Sequence, residues 1–110
     1  MGYYTDFVLM ANTTFKSIEE AIKDMPNSYL NDFDFYTSEE NAIDGYLYGT
    51  WREYDEDMIN LSLKIPDVLF TLWGFGQDRH DIWVLYAKNG KLCEHIGKIV
   101  YPNFDESMLS

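Results

Sequence analysis

Cys93 and His95 are the side chains best suited to chemistry, because two residues apart on a strand they share a face. His80 falls on the neighbouring strand, so a third zinc ligand could in principle join them. The set stops there. There is no second cysteine and no C-x-x-C spacing, and Glu94 points the other way. The pair therefore reads as a half-buried cysteine beside a surface histidine, with no metal. In Asp78-Arg79-His80-Asp81 a histidine next to an aspartate suits proton transfer, but nothing nearby supplies a nucleophile or oxyanion donors. It reads as a solvated loop that could form part of a binding rim.

Gly74-Phe75-Gly76 has the glycines of a phosphate-cradling loop, yet a strand follows where a helix N-terminus is needed, and no lysine is near. Asp32-x-Asp34 opens like a calcium loop, which then needs glycine at its sixth position and glutamate at its twelfth. Thr37 and Ile43 stand there instead. No catalytic residue, metal site or cofactor is read from the chain, and an enzyme is not expected.

What remains is charge. Between Asn31 and Met58 nine acids face one base, Arg52, so this segment holds −8 of the formal −11. Such polarisation repels nucleic acid and anionic membrane and attracts basic protein surfaces. Aromatics interleave with the acids, and aromatics are frequent interface anchors. The partner-binding candidates are Asp32, Asp34, Phe35, Tyr36, Glu39, Glu40, Asp44, Glu53, Glu56 and Asp57, with Phe33, Tyr46, Tyr48 and Trp51 as companions. Glu53 to Asp57 also have a structural reading, as carboxylates complementing the dipole at a helix start. Asp32 to Asp44 have no such duty, so the binding face centres on them.

The elements that must position these residues follow from periodicity. Tyr3 to Met10 reads as a strand, apolar on both faces and so inside the sheet. Ser17 and Glu20 match the S-x-x-E capping box ahead of Ile18, Ala21, Ile22 and Met25, and Pro26 ends that helix. Asn27 to Gly45 is a long excursion with a short strand near Phe33–Thr37, and Ile43 to Thr50 is a strand. Thr50 and Glu53 repeat the capping-box spacing for a second helix. Trp51, Tyr54, Met58, Leu61 and Ile65 lie on one side of it, and Glu53, Glu56, Asp57, Asn60 and Lys64 on the wet side. Pro66 stops it near Lys64.

Strands at Asp67–Gly74 and His80–Lys88, joined by a loop over Gly74–Arg79, are followed by the Asn89-Gly90 signal of a type I′ hairpin. A last strand runs from Lys91 to Tyr101, bent near Gly97. The expectation is a single α+β domain over residues 1–102 and a loose acidic tail over 103–110. Its architecture is a two-layer sandwich with two helices on one face of a mainly antiparallel sheet, a ferredoxin-like core with an extra C-terminal hairpin strand.

The opening MGYYTDFVLM has neither the basic start nor the long apolar core of a secretion signal, and no apolar run approaches a membrane span. A cytoplasmic protein is expected. The single cysteine excludes an internal disulfide.

Several segments resemble a family of small, acidic proteins encoded by bacteriophages and prophages. They are Met1-Gly2-Tyr3-Tyr4-Thr5, Trp51-x-x-Tyr54-Asp55-x-Asp57-Met58, Pro66-Asp67-Val68-Leu69-Phe70, Asp81-Ile82-Trp83-x-x-Tyr86-x-x-Asn89-Gly90-Lys91 and Tyr101-Pro102-x-Phe104-Asp105. The chain departs from the family's Gly-Glu-Gly-Glu-type loop at Gly74-Phe75-Gly76-Gln77. The resemblance implies action by stoichiometric binding to a host protein or defence complex, in the cytoplasm of an infected bacterium. In that anti-defence or anti-CRISPR role the acids would stand in for nucleic-acid phosphates on a basic surface of the target, with no direct nucleic-acid or membrane binding. Two other readings stand beside it. One is a small enzyme or ligand-binding domain on the sheet face near Trp73, Arg79, His80 and Trp83. The other is a self-assembling accessory oligomer.

Overall fold

The computed structural model describes residues 4–77 and 81–97. Expectations for His80 and Arg79, for the end of the last strand and for the tail over 103–110 lie outside the described residues. Six strands form one antiparallel sheet in the order β2-β3-β1-β4-β5-β6. They are β1 (Thr5–Ala11), β2 (Asp34–Glu39), β3 (Ala42–Gly49), β4 (Phe70–Gly76), β5 (Ile82–Lys88) and β6 (Lys91–Ile96). Helices α1 (Phe15–Ile22) and α2 (Tyr54–Lys64) pack against one side of it. The order β2-β3-β1-β4 around two helical crossovers is the ferredoxin-like arrangement, and the β5–β6 hairpin extends it beyond β4. The α+β sandwich expected from periodicity is the fold observed, with β1 inside the sheet as its two apolar faces require.

Helix starts depart from the sequence reading. α1 begins at Phe15, and its cap is Thr14, whose hydroxyl accepts from the Ser17 N–H at 3.3 Å. Ser17 is thus the third helical residue rather than the cap. α2 begins at Tyr54 after Glu53, with no side-chain cap, and the Thr50 hydroxyl lies 3.4 Å from that of Tyr29. Trp51 therefore precedes the helix, where it reaches the core free of helical geometry. The excursion before β2 is compact. Its 3-10 turn (Tyr29–Asp32) is capped by Ser28, and the β2–β3 hairpin turns at Asn41 with φ of 58°.

β4 is shifted two or three residues from its expected span, because Gly74-Phe75-Gly76 continues the strand instead of forming a loop. Gly74 pairs with Phe7 on one side and Trp83 on the other. The ring of Trp83 lies across the space a side chain would fill, and that of Phe35 does the same over its own partner Gly45. Glycines opposite large aromatics let the rings lie flat on the sheet. Asn89 and Gly90 both take positive φ, 49° and 76°, as a type I′ turn demands. Ser62 of α2, fully buried, accepts from the Gly90 N–H at 2.8 Å and donates to the Ile59 carbonyl, fixing this hairpin to the helix.

The core between helices and sheet holds Phe7, Leu9, Ile18, Leu30, Met58, Leu61, Phe70, Leu72 and Leu85. At its β5–β6 end Tyr54 stacks on Trp83 at 4.6 Å and donates its hydroxyl to Glu94 at 2.9 Å. Burial, reinforced by that bond, holds the Tyr54 phenol well above its usual ionisation range. An unfolded tyrosine ionises near pH 10. The neutral phenol's contribution is complete below that and is lost as pH rises through the higher folded value, because the unfolded chain gives up its proton first. The urea midpoint should fall between pH 9 and pH 11, and fall less in Tyr54→Phe. Equal slopes would show that Tyr54 does not carry the effect.

Candidate functional site

Strand pairing sorts the acids and aromatics, because alternate residues face opposite sides. One side of the sheet is covered by α1 and α2. Across the other, which no helix among the described residues covers, three rows of paired residues run from β2 or β3 toward β6. The first is Tyr36–Asp44–Met10–Thr71–Tyr86–Cys93, the second Asp34–Tyr46–Val8–Trp73–Val84–His95, and the third Tyr48–Asp6–Phe75–Ile82. Tyr36, Tyr46, Tyr48, Met10 and Phe75 are exposed. The β2–β3–β1 half of this uncovered face is therefore a checkerboard of carboxylates and phenols. Tyr4 stacks on Tyr48 at 5.1 Å, and the Tyr46 hydroxyl donates to Asp6. That bond, first, and burial, second, raise the Tyr46 phenol above its usual range.

Of the ten sequence candidates, Asp34, Tyr36 and Asp44 meet on this face, and Glu39 and Glu40 sit at the exposed tip of the β2–β3 hairpin. Asp32 is exposed in the 3-10 turn before β2. The others are elsewhere. Phe35 lies on the helix side, 5.6 Å from Phe33 and 5.9 Å from Phe15, so it is packing rather than contact surface. Glu53 and Glu56 are exposed in the helix layer, on the far side of the sheet from Asp34 and Asp44. Asp57, expected on the wet face of α2, accepts from the Trp51 indole N–H and from the Ser28 hydroxyl, each at 2.8 Å. Trp51 and Phe33 are core. Sequence reasoning missed Asp6 and Tyr4, because both lie outside the acidic segment. The signal was present in the alternation of β1, whose even-numbered residues face away from the core.

The face named for an enzyme or ligand site does not assemble as expected. Trp73 is on the uncovered side and Trp83 on the helix side. Cys93 is exposed rather than half-buried, and its Sγ lies 3.3 Å from His95 Nε2. Among the described residues no group of three or more His, Cys, Asp or Glu side chains is placed to hold a metal ion, and no helix is long and apolar enough to cross a membrane. No protein-family model matches the chain, and neither a curated protein nor a solved structure is significantly similar to it.

Proposed function

We propose that the protein is a stoichiometric binder of a basic protein surface, and that it docks through the β2–β3–β1 half of its uncovered sheet face. The observation that carries this reading is the convergence there of Asp6, Asp34 and Asp44 with exposed Tyr36, Tyr46 and Tyr48. Tyrosine supplies rigid contact area with a polar tip, and neighbouring carboxylates meet arginine or lysine. Asp32 and Glu40 extend the negative field along the β2 edge beside Glu39 and speed encounter without needing contact. In the setting that the resemblance to phage proteins implies, the target is a bacterial defence protein whose nucleic-acid-binding surface is basic. The mechanism is occlusion: carboxylates occupy positions that phosphates would take.

The test is capture of host proteins from infected-cell lysate on the immobilised protein and on an Asp34→Lys/Tyr36→Ala variant, across salt. A protein retained at low salt should be released as the Debye length shrinks from about 10 Å at 0.1 M to about 3 Å at 1 M. The variant should retain it at least about tenfold less, while Glu19→Lys on α1 should not matter. Retention that ignores both salt and the β2 substitutions would sink the proposal.

A further inference from the structure

At the hairpin end of the uncovered face the sheet surface dips into a cleft of about 390 Å³ lined by Met10, Ala42, Leu69 and Thr71, with Glu39 and Asp44 among its walls. We infer that this cleft is a receptor for one arginine side chain of the partner, its aliphatic stem on Met10 and Leu69 and its guanidinium between Asp44 and Glu39. The inference rests on the docking reading above and names the side chain that anchors it.

Three observations carry it. The floor is apolar yet open: Met10 is 45% and Leu69 44% exposed, large hydrophobic side chains left beside carboxylates. Two of the other polar side chains around it are engaged in holding the walls. Asn12 accepts from the Leu69 N–H at 3.1 Å, and Ser38 donates to the Ala42 carbonyl at 3.4 Å. Asp44, half-buried, and Glu39, exposed, line the cleft and have no hydrogen-bond or ion-pair partner among the described residues.

The geometry selects the ligand. Asp44, Met10 and Thr71 are register partners on three adjacent strands. A group lying across them spans two strand spacings, about 10 Å. A long unbranched stem ending in positive charge fits an apolar floor with acids at one end. Two separate carboxylates favour the planar five-donor fork of arginine over the point charge of lysine. A bare metal ion would find two carboxylates and no third His, Cys, Asp or Glu ligand among the described residues.

The experiment titrates N-acetyl-arginine N-methylamide into the full-length protein and follows the methyl resonances of Met10, Ala42 and Leu69. N-acetyl-norleucine N-methylamide serves as the uncharged control. Saturable shifts with Kd on the order of 1 mM are expected for the arginine amide, at the affinity a ligand of its size reaches. Norleucine amide, Asp44→Asn and Glu39→Gln should each weaken binding about tenfold, while Glu19→Gln on α1 should leave it unchanged. Absence of saturation overturns the inference, as does equal binding of the norleucine amide or full binding by both carboxylate variants. Failure of the docking proposal is separately visible. Arginine amide could bind the cleft while Asp34→Lys/Tyr36→Ala still retains the partner, which would sink the interface and leave the cleft. The reverse pattern would sink the cleft alone.

Discussion

Asp57→Ala is expected to lower the free energy of unfolding by about 3 kcal/mol, and Asp57→Asn by only about 1 kcal/mol. Trp51 is 2% exposed and packs against Phe7, Phe33 and Tyr54. Its indole N–H has one acceptor, Asp57 Oδ2, which also takes the Ser28 hydroxyl. Hydrogen bonds to a charged group contribute roughly 1.5–3 kcal/mol, and a buried donor left unpaired adds its desolvation cost. Ser28 lies at the edge of a cleft shared with Asp24, Glu53 and Glu56, so its hydroxyl can turn to water and loses less. Asparagine presents a carbonyl oxygen where the carboxylate stood and keeps both donors satisfied. Glu56→Ala, one residue earlier and exposed, removes only a helix-start charge worth about 0.3–1 kcal/mol. Urea unfolding followed by tryptophan fluorescence compares the three. If Asp57→Ala falls within about 0.5 kcal/mol of Glu56→Ala, Asp57 is a solvated acid after all. The comparison bears on function, because an acid that holds Trp51 in place is not free to meet a partner.

Periodicity carried the fold, whereas charge read along the chain does not say which acids share a face. The alternation in β1, the Asn89-Gly90 turn and the apolar positions Ile18, Ala21, Met58 and Leu61 all keep their expected duties, since each depends on local geometry or a single buried face. The capping boxes misled because Ser17 and Thr50 satisfy the spacing, whereas the cap depends on which residue is still extended. That residue is Thr14 for α1. Along the chain Gly74 reads as the end of a strand and Gly45 as one position inside another. Their role is visible only when register sets Trp83 and Phe35 opposite them. The acidic segment reads as one block along the chain, but it crosses from the 3-10 turn to β2, β3 and then α2, which lie on opposite sides of the sheet. Asp6 joins Asp34 and Asp44 through β1–β3 pairing, a contact some forty residues long that no window along the sequence can contain.

Gly74→Ala should be the most damaging small substitution in the sheet, at about 3 kcal/mol or more. A Cβ there would stand 2.0 Å from Trp83 Cε2 and 2.1 Å from Cζ2, so the indole must move. It has little room. Trp83 is stacked on Tyr54 and sits edge-on to Phe7 at 5.9 Å, and Tyr54 is tied to Glu94. Overfilling a packed core typically costs 1–3 kcal/mol, and loss of the aromatic pair adds about 0.5–1.5 kcal/mol. Gly49→Ala is the matched control: its nearest neighbours are 3.9 Å away, and replacing glycine there removes backbone freedom from the unfolded chain, a gain of up to about 1 kcal/mol. Thermal melts of the two variants should therefore shift in opposite directions. Trp83→Leu added to Gly74→Ala should recover part of the loss, giving a coupling energy that two independent defects would not show. Trp73 and Phe75 flank Gly74 on β4 and face the uncovered side, so a displaced β4 would also disturb the surface beside the acidic half. If Gly74→Ala melts where the parent protein does, the indole is mobile and the glycine is not required by its ring.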